Sequence, residues 1–265
     1  MAVIDGSTSK SHYRHSRHRP LQALLAHSFM SENGRYAMQL TARYIRRMPK
    51  TTTCDQFLRG VTAYIRRHYR KSMLPRLAEH PEDRLTCSVV VFSRLCREIW
   101  MIGDCQALLS TPGNAQPEDA PRFQLLENPK PCEAELAAMR AAEVRRLLAA
   151  GATEDELLRH DPARAVIIPR MLETMRQQNV TYSVVDGFPI PKNFVRIVAL
   201  DFRPWQIVLA TDGYPFLRPT LAESEALLQQ QRRDDPLNIG RFQATKAFRP
   251  GFNSFDDRAY IRFTA

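Results

Sequence analysis

Hydrophobic and polar positions alternate with two different periods along this chain, and the switches between them outline its elements. Ala2 to Ile4 is a short β-prone run that stops at the turn-like pair Asp5-Gly6. Ser7 to Pro20 is polar and rich in His and Arg, which predicts an exposed loop. Ala37, Leu40, Tyr44 and Met48 then recur at helical spacing until Pro49 stops them. Thr53 and Gln56 stand at capping-box spacing and open a second helix, with Phe57, Val61, Tyr64, Ile65 and Tyr69 along one face. Thr86–Ser93 and Glu98–Ile102 are β-branched and strongly apolar, and the short link between them predicts an antiparallel hairpin ending at Gly103-Asp104.

Beyond the hairpin the pattern changes. Thr111 to Pro131 is proline-rich and predicts a linker or surface excursion. A helical block runs from Glu133 to Gln178, broken at Gly151 and restarted by a second capping box, Thr153 with Glu156. Strands are expected at Tyr182–Val185, Phe194–Leu200, Gln206–Ala210 and Ala259–Phe263, with a helix capped by Thr220 and Glu223 running through Leu228. Hairpin neighbours outnumber strand–helix–strand alternation, which indicates an α+β domain of mainly antiparallel sheets covered by helices. One domain is expected over 1–265, with 111–180 as linker and helical insertion.

Charge is unevenly placed. The chain carries 38 Lys+Arg against 28 Asp+Glu, a net +10. Residues 1–100 hold 18 against 7, so they contribute +11, and the remaining 20 against 21 contribute −1. Such a half favours anionic partners. Arg66, Arg67, Arg70 and Lys71 lie on the polar side of the second helix and are read as a solvated surface. Without a stacking platform or a recognisable motif, nucleic acid is not the expected partner, although a basic nucleic-acid-binding protein remains an alternative. Five cysteines with no Cys-x-x-Cys pair argue against a disulfide framework and a thiolate zinc site, leaving Cys105, beside Asp104, as the one of interest. No apolar run approaches a membrane span and no secretory signal is visible, so a cytoplasmic location is expected.

Four segments share one grammar. An aspartate beside a small or polar residue borders a hydrophobic run in Val3-Ile4-Asp5-Gly6, Met101-Ile102-Gly103-Asp104, Leu209-Ala210-Thr211-Asp212-Gly213 and Ser254-Phe255-Asp256-Asp257. Any single Asp-Gly is an ordinary turn signal, and a fifth pair, Asp186-Gly187, is read as one. In succession, rigid strand ends with hard carboxylate oxygens suit Mg²⁺ or Mn²⁺.

In their order and spacing these segments resemble the successive motifs of the metal-dependent type 2C serine/threonine phosphatases, over nearly the whole chain. The resemblance implies a four-layer αββα sandwich of two antiparallel sheets flanked by helices. It also implies two or more Mg²⁺ or Mn²⁺ ions, and hydrolysis of phosphoserine and phosphothreonine esters in a phosphoprotein by metal-activated water. Asp5 resembles the bridging carboxylate, with the Gly6 carbonyl beside it. Asp212 and Asp256 resemble the other ligands of the first metal, and Asp104 that of a more weakly held third; Asp5, Asp212 and Asp256 are the residues expected to carry catalysis.

Three departures accompany the resemblance. The family's preceding strand carries a phosphate-binding arginine and a Glu-Asp pair, and the four residues before Asp5 contain neither, so either the true start lies upstream or the second metal site is incomplete. Ser7 stands where the family has histidine, and Cys132 to Gln178 is more helical than the family's central region. These departures favour an alternative, a phosphatase-fold binding or regulatory protein with weak or no turnover. Among His12, Arg14, His15, Arg17, His18 and Arg19, the guanidinium groups of Arg14 and Arg17 are candidates to hold the substrate phosphate.

Overall fold

Residues 1–7, 32–111 and 123–265 are described by a computed structural model. In chain order the elements are β1 (Ala2–Gly6), α1 (Glu32–Arg47), α2 (Cys54–Arg66), α3 (Leu74–Glu79), β2 (Cys87–Ser93), β3 (Glu98–Ile102), β4 (Gln106–Ser110), β5 (Gln124–Leu126), α4 (Glu133–Ala149), α5 (Glu154–Arg159), α6 (Pro162–Met175), β6 (Arg196–Ala199), β7 (Gln206–Ala210), α7 (Leu221–Asp234) and β8 (Tyr260–Thr264). They form two antiparallel four-stranded sheets, ordered β1-β2-β3-β6 and β5-β4-β7-β8. This is the α+β class, with its two mainly antiparallel sheets and accompanying helices, that the sequence led us to expect. By its internal contacts the chain divides into two compact units, Met1–Cys105 with Met175–Phe202, and Gln106–Thr174 with Arg203–Ala265.

In the first unit the apolar stripe of α2 decides the packing. Phe57, Val61 and Ile65 are fully buried, and they meet Leu40 of α1 and Val89, Trp100 and Ile102 of the sheet in one cluster. The Phe57 and Trp100 rings lie 5.8 Å apart. Thr53 caps α2 as expected: its hydroxyl accepts from the Gln56 N–H, while the Gln56 side chain accepts from the Thr53 N–H at 2.9 Å. The hairpin register pairs Val91 with Trp100 and Val89 with Ile102.

Tyr182 to Val185 departs from expectation. It makes isolated bridges, Gln178 with Tyr182 and Cys87 with Val185, instead of a strand. The reason lies in the turn that follows, where Asp186-Gly187 is tied down by buried polar groups. Arg84 donates to Asp186 Oδ2 at 2.9 Å, the Phe188 N–H donates to Oδ1 at 2.8 Å, and the Tyr69 hydroxyl donates to the Asp186 carbonyl at 2.6 Å. Gly187 takes φ +81°, which a side chain would disfavour. The Arg84 guanidinium covers the Phe188 ring at 3.7 Å. Asp186-Gly187 is thus the structural turn it was expected to be.

The second unit contains two strands that the sequence pattern did not mark. β4 follows Asp104 almost at once, and the three-residue β5 lies inside the proline-rich stretch. Both depend on distant partners: β4 pairs with β7, Ala107 opposite Leu209, and β5 pairs with β4. The helical block resolves into α4, α5 and α6, and both halves of the Thr153/Glu156 capping box form. Arg140, fully buried on α4, organises this unit. It pairs with Asp161 at 2.8 Å and donates to the carbonyls of Leu237 and Ala244 at 2.8 and 3.1 Å. Val144, Leu157, Ala163, Leu237 and Ala247 form the apolar cluster nearby. Among the described residues, no helix is long and apolar enough to cross a membrane.

Candidate metal centre

In the first unit, two of the sequence-picked aspartates are brought together by strand pairing. Asp5 sits in β1 opposite Ser88 of β2, with Gly6 opposite Cys87. Asp104 follows the end of β3, and the Ser88 hydroxyl donates to its Oδ1 at 2.5 Å. Asp5 and Asp104 each offer a carboxylate oxygen, and these oxygens lie within 4.8 Å of one another. Residues 99 positions apart therefore share one corner of a sheet because β1 and β3 flank the same strand. Ser88, in that middle strand, touches one of them and faces the other.

Two close backbone approaches build this corner. Gly103 has φ +82°, and a Cβ there would stand 2.1 Å from Ser88 Oγ. Its N–H donates to Ser183 Oγ at 3.2 Å, and the Ser183 hydroxyl in turn donates to the Phe194 carbonyl at 2.8 Å. Gly6 packs on Gly34 of α1, where an added Cβ would come within 2.8 Å of the Gly34 backbone. Only glycine lets helix and strand end come so near. Beneath lies Cys87, whose thiol burial pushes up to about 12, with Asp5 and Asp186 adding to the effect and a hydrogen bond to Thr41 opposing it. It stays a neutral thiol at physiological pH. Cys105 is also buried.

In the second unit, Asp212 and Asp256 come from neighbouring loops. Thr211, after β7, makes two hydrogen bonds with the segment leading into β8: its N–H donates to the Ala259 carbonyl at 3.1 Å, and its hydroxyl accepts from the Ala259 N–H at 3.0 Å. A Cβ on Gly213 would stand 2.4 Å from the Asp257 carbonyl oxygen, so glycine admits the close contact of the two segments. The Asp256 carboxylate has a cationic partner, Lys246 Nζ. Sequence reasoning missed this lysine, since nothing local links positions 246 and 256. Alongside, Glu225 accepts from Arg258 and from the Tyr214 hydroxyl, and the Arg258 guanidinium holds its carboxyl below the usual range. Ser88 was also passed over, although it lies in the predicted strand; finding it required the register of β1 on β2. Arg14 and Arg17, with His12, His15 and His18, lie outside the described residues.

The donor set fits a hard divalent cation. Carboxylate oxygens on rigid strand ends, with backbone carbonyls made approachable by glycine, are the groups that Mg²⁺ and Mn²⁺ prefer.

No protein-family model matches this chain, and no curated protein matches it. Solved structures do show similarity. The serine/threonine phosphatase PstP/Ppp of Mycobacterium tuberculosis is 14% identical, with 86% of this chain and 74% of that chain covered and a TM-score of 0.35. The catalytic domain of PstP in complex with two manganese ions is likewise 14% identical, covering 86% and 73% at a TM-score of 0.33. Serine-threonine phosphatase 2C from Toxoplasma gondii is 10% identical, covering 88% and 84% at 0.30.

Proposed function

We propose that this chain is a Mg²⁺- or Mn²⁺-dependent phosphatase of the type 2C kind, hydrolysing phosphoserine and phosphothreonine esters in protein substrates. The observation supporting this most directly is the approach of the Asp5 and Asp104 carboxylate oxygens to within 4.8 Å. Like charges at that separation oppose each other, and a divalent cation would relieve the repulsion.

Asp5, Asp104, Asp212 and Asp256 are assigned as the carboxylate ligands and Gly6 as a carbonyl ligand, for two or more ions. When bound, the cations supply Lewis acidity toward the phosphoryl oxygens and acidify water. The protein's own part is positional. Ser88 holds the Asp104 carboxylate through its 2.5 Å hydrogen bond, while Gly103 sets the direction in which the chain leaves β3. Arg14 and Arg17 are assigned to the substrate phosphate, for which a guanidinium offers paired donors.

Phosphate release from a phosphothreonine peptide, together with Mn²⁺ calorimetry, tests the assignment. Asp5→Asn and Asp212→Asn should each lower turnover by about a hundredfold or more, since each removes a charged ligand worth several kcal/mol in the transition state. Wild-type turnover in both variants would refute it. A second reading has its own support: Lys246 already neutralises Asp256, and Ser7 stands where the family has histidine. It predicts a phosphatase-fold binding protein that takes up Mn²⁺ with a measurable heat and releases no phosphate.

A further inference from the structure

The first unit carries a second feature that metal chemistry does not use. α1 and α2 pack side by side and antiparallel: Tyr36 meets His68 with ring centroids 6.2 Å apart, and Tyr44 meets Tyr64 at 5.7 Å. Their inward stripes, Ala37, Leu40 and Thr41 on one and Phe57, Val61 and Ile65 on the other, are fully buried. Opposite those stripes α1 exposes Arg35, Arg43 and Arg46, and α2 exposes Arg59 and Arg66 alongside Gln56 and Ala63, with Arg67 at its C-terminal cap. Arg47 at the end of α1, and Lys50, Arg70 and Lys71 just beyond the helices, are exposed as well.

Little acid balances this face. After Glu32 at its first position α1 has no acidic residue, and the sole carboxylate of α2, Asp55, is bound to Lys192 at 2.8 Å. Arg66 and Arg67 instead lie over the Phe188 and Tyr64 rings, each at 4.9 Å. Taken alone, the α2 cluster reads as a solvated helix surface. The structure sets a second line of arginines beside it, and α1 carries that line from Arg35 to Arg47, over about 18 Å.

What such a face can hold follows from what it lacks. Among the described residues, none of the exposed large hydrophobic ones, Leu95, Met139 and Phe202 included, lies on either helix. A stable protein interface needs an apolar or aromatic core, and a membrane-seated helix needs Trp, Phe or Leu to insert. Nucleic acid needs neither, because charge alone supplies its non-specific affinity. Tyr36, Tyr44 and Tyr64 are half-buried and packed on one another or on His68, so they do not form a platform for unstacked bases, which separates a duplex from a single strand. We propose that the outward face of α1 and α2 binds the phosphate backbone of duplex nucleic acid without reading its sequence. This rests on the charge of the two helices and not on the metal centre.

The test is fluorescence anisotropy of a labelled DNA duplex of roughly 20 base pairs between 50 and 200 mM NaCl. If about four phosphates are neutralised, log affinity falls against log salt with a slope near −3.6, about a hundredfold over that range. Arg43→Glu with Arg46→Glu, and separately Arg59→Glu with Arg66→Glu, should each weaken binding by about tenfold or more at 50 mM and flatten the slope by about two. Arg232→Glu with Arg233→Glu, at the end of α7 in the other unit, should change neither. Of the changed residues only Arg232 is half-buried and the others are exposed, and an unaltered circular dichroism melt confirms folding. Wild-type duplex affinity in both helix variants, or equal loss in the α7 variant, would overturn the proposal. So would the absence of duplex binding from a protein that binds vesicles rich in anionic lipid, which would make the face a membrane-docking one.

Discussion

Replacing Gly103 by alanine should destabilise the first unit by about 2–5 kcal/mol, and the structure supplies both parts of that sum. Gly103 has φ +82°, where an L side chain costs about 1–2 kcal/mol. The new Cβ would also stand 2.1 Å from Ser88 Oγ, 2.6 Å from Ser88 Cβ and 3.0 Å from Ser88 Cα. Relieving such an overlap in a packed region costs about 1–3 kcal/mol more. The two parts separate in a double-mutant cycle. Ser88→Gly removes the two nearest atoms and leaves the third, so it should recover most of the overlap and none of the backbone strain. A favourable coupling energy of about 1–3 kcal/mol is expected between the two sites. Ser88→Gly alone should be destabilising, since it deletes the 2.5 Å hydrogen bond to Asp104, of a charged kind worth about 1.5–3 kcal/mol. Urea unfolding followed by tryptophan fluorescence measures all four corners, in a Trp205→Phe background so that buried Trp100 reports on the first unit. A Gly103→Ala effect under about 1 kcal/mol, or zero coupling, would refute the description of this corner.

Other predictions concern buried charges. Arg140→Met should cost about 3–5 kcal/mol in urea unfolding of the second unit, because Asp161 and the carbonyls of Leu237 and Ala244 lose their donor together; a loss below 1 kcal/mol would contradict that role. Burial pushes the Asp186 carboxyl up to about 6 from 3.8, against the opposing pull of Arg84. Since the folded value lies above the unfolded one, folding takes up a proton there: the contribution is fully present below the unfolded value and is lost as pH rises through 6. Asp186→Asn should therefore remove a fall in stability between pH 4 and 6 that chemical denaturation detects in the wild type. Identical pH profiles for the two proteins would count against it.

Much of the fold was legible locally. The three capping boxes at Thr53, Thr153 and Thr220 form as the spacing of Thr and Gln or Glu predicts, because each closes within one helical turn. The β2–β3 hairpin was equally plain, since its partners adjoin in sequence. β4 and β5 were not. Their apolar runs are short, and they are strands by virtue of neighbours that the chain reaches only later. Tyr182–Val185 shows the reverse case, a β-prone run withheld from a sheet by the polar anchors of the following turn.

The same division runs through the candidate centre. By itself the sequence determined which side chains have the right chemistry: aspartates beside small residues at the edges of apolar runs, with glycines where the chain must bend or be approached. Only tertiary structure decided that Asp5 and Asp104 share a corner, through two neighbours of β2, that Ser88 lies between them, and that Asp256 is held by Lys246. It also decided that the arginines of α1 and α2 form one face. The physical reason is range: periodicity, capping and turn preference act over a few residues, whereas sheet register and ion pairing join positions whose separation along the chain carries no trace of their contact.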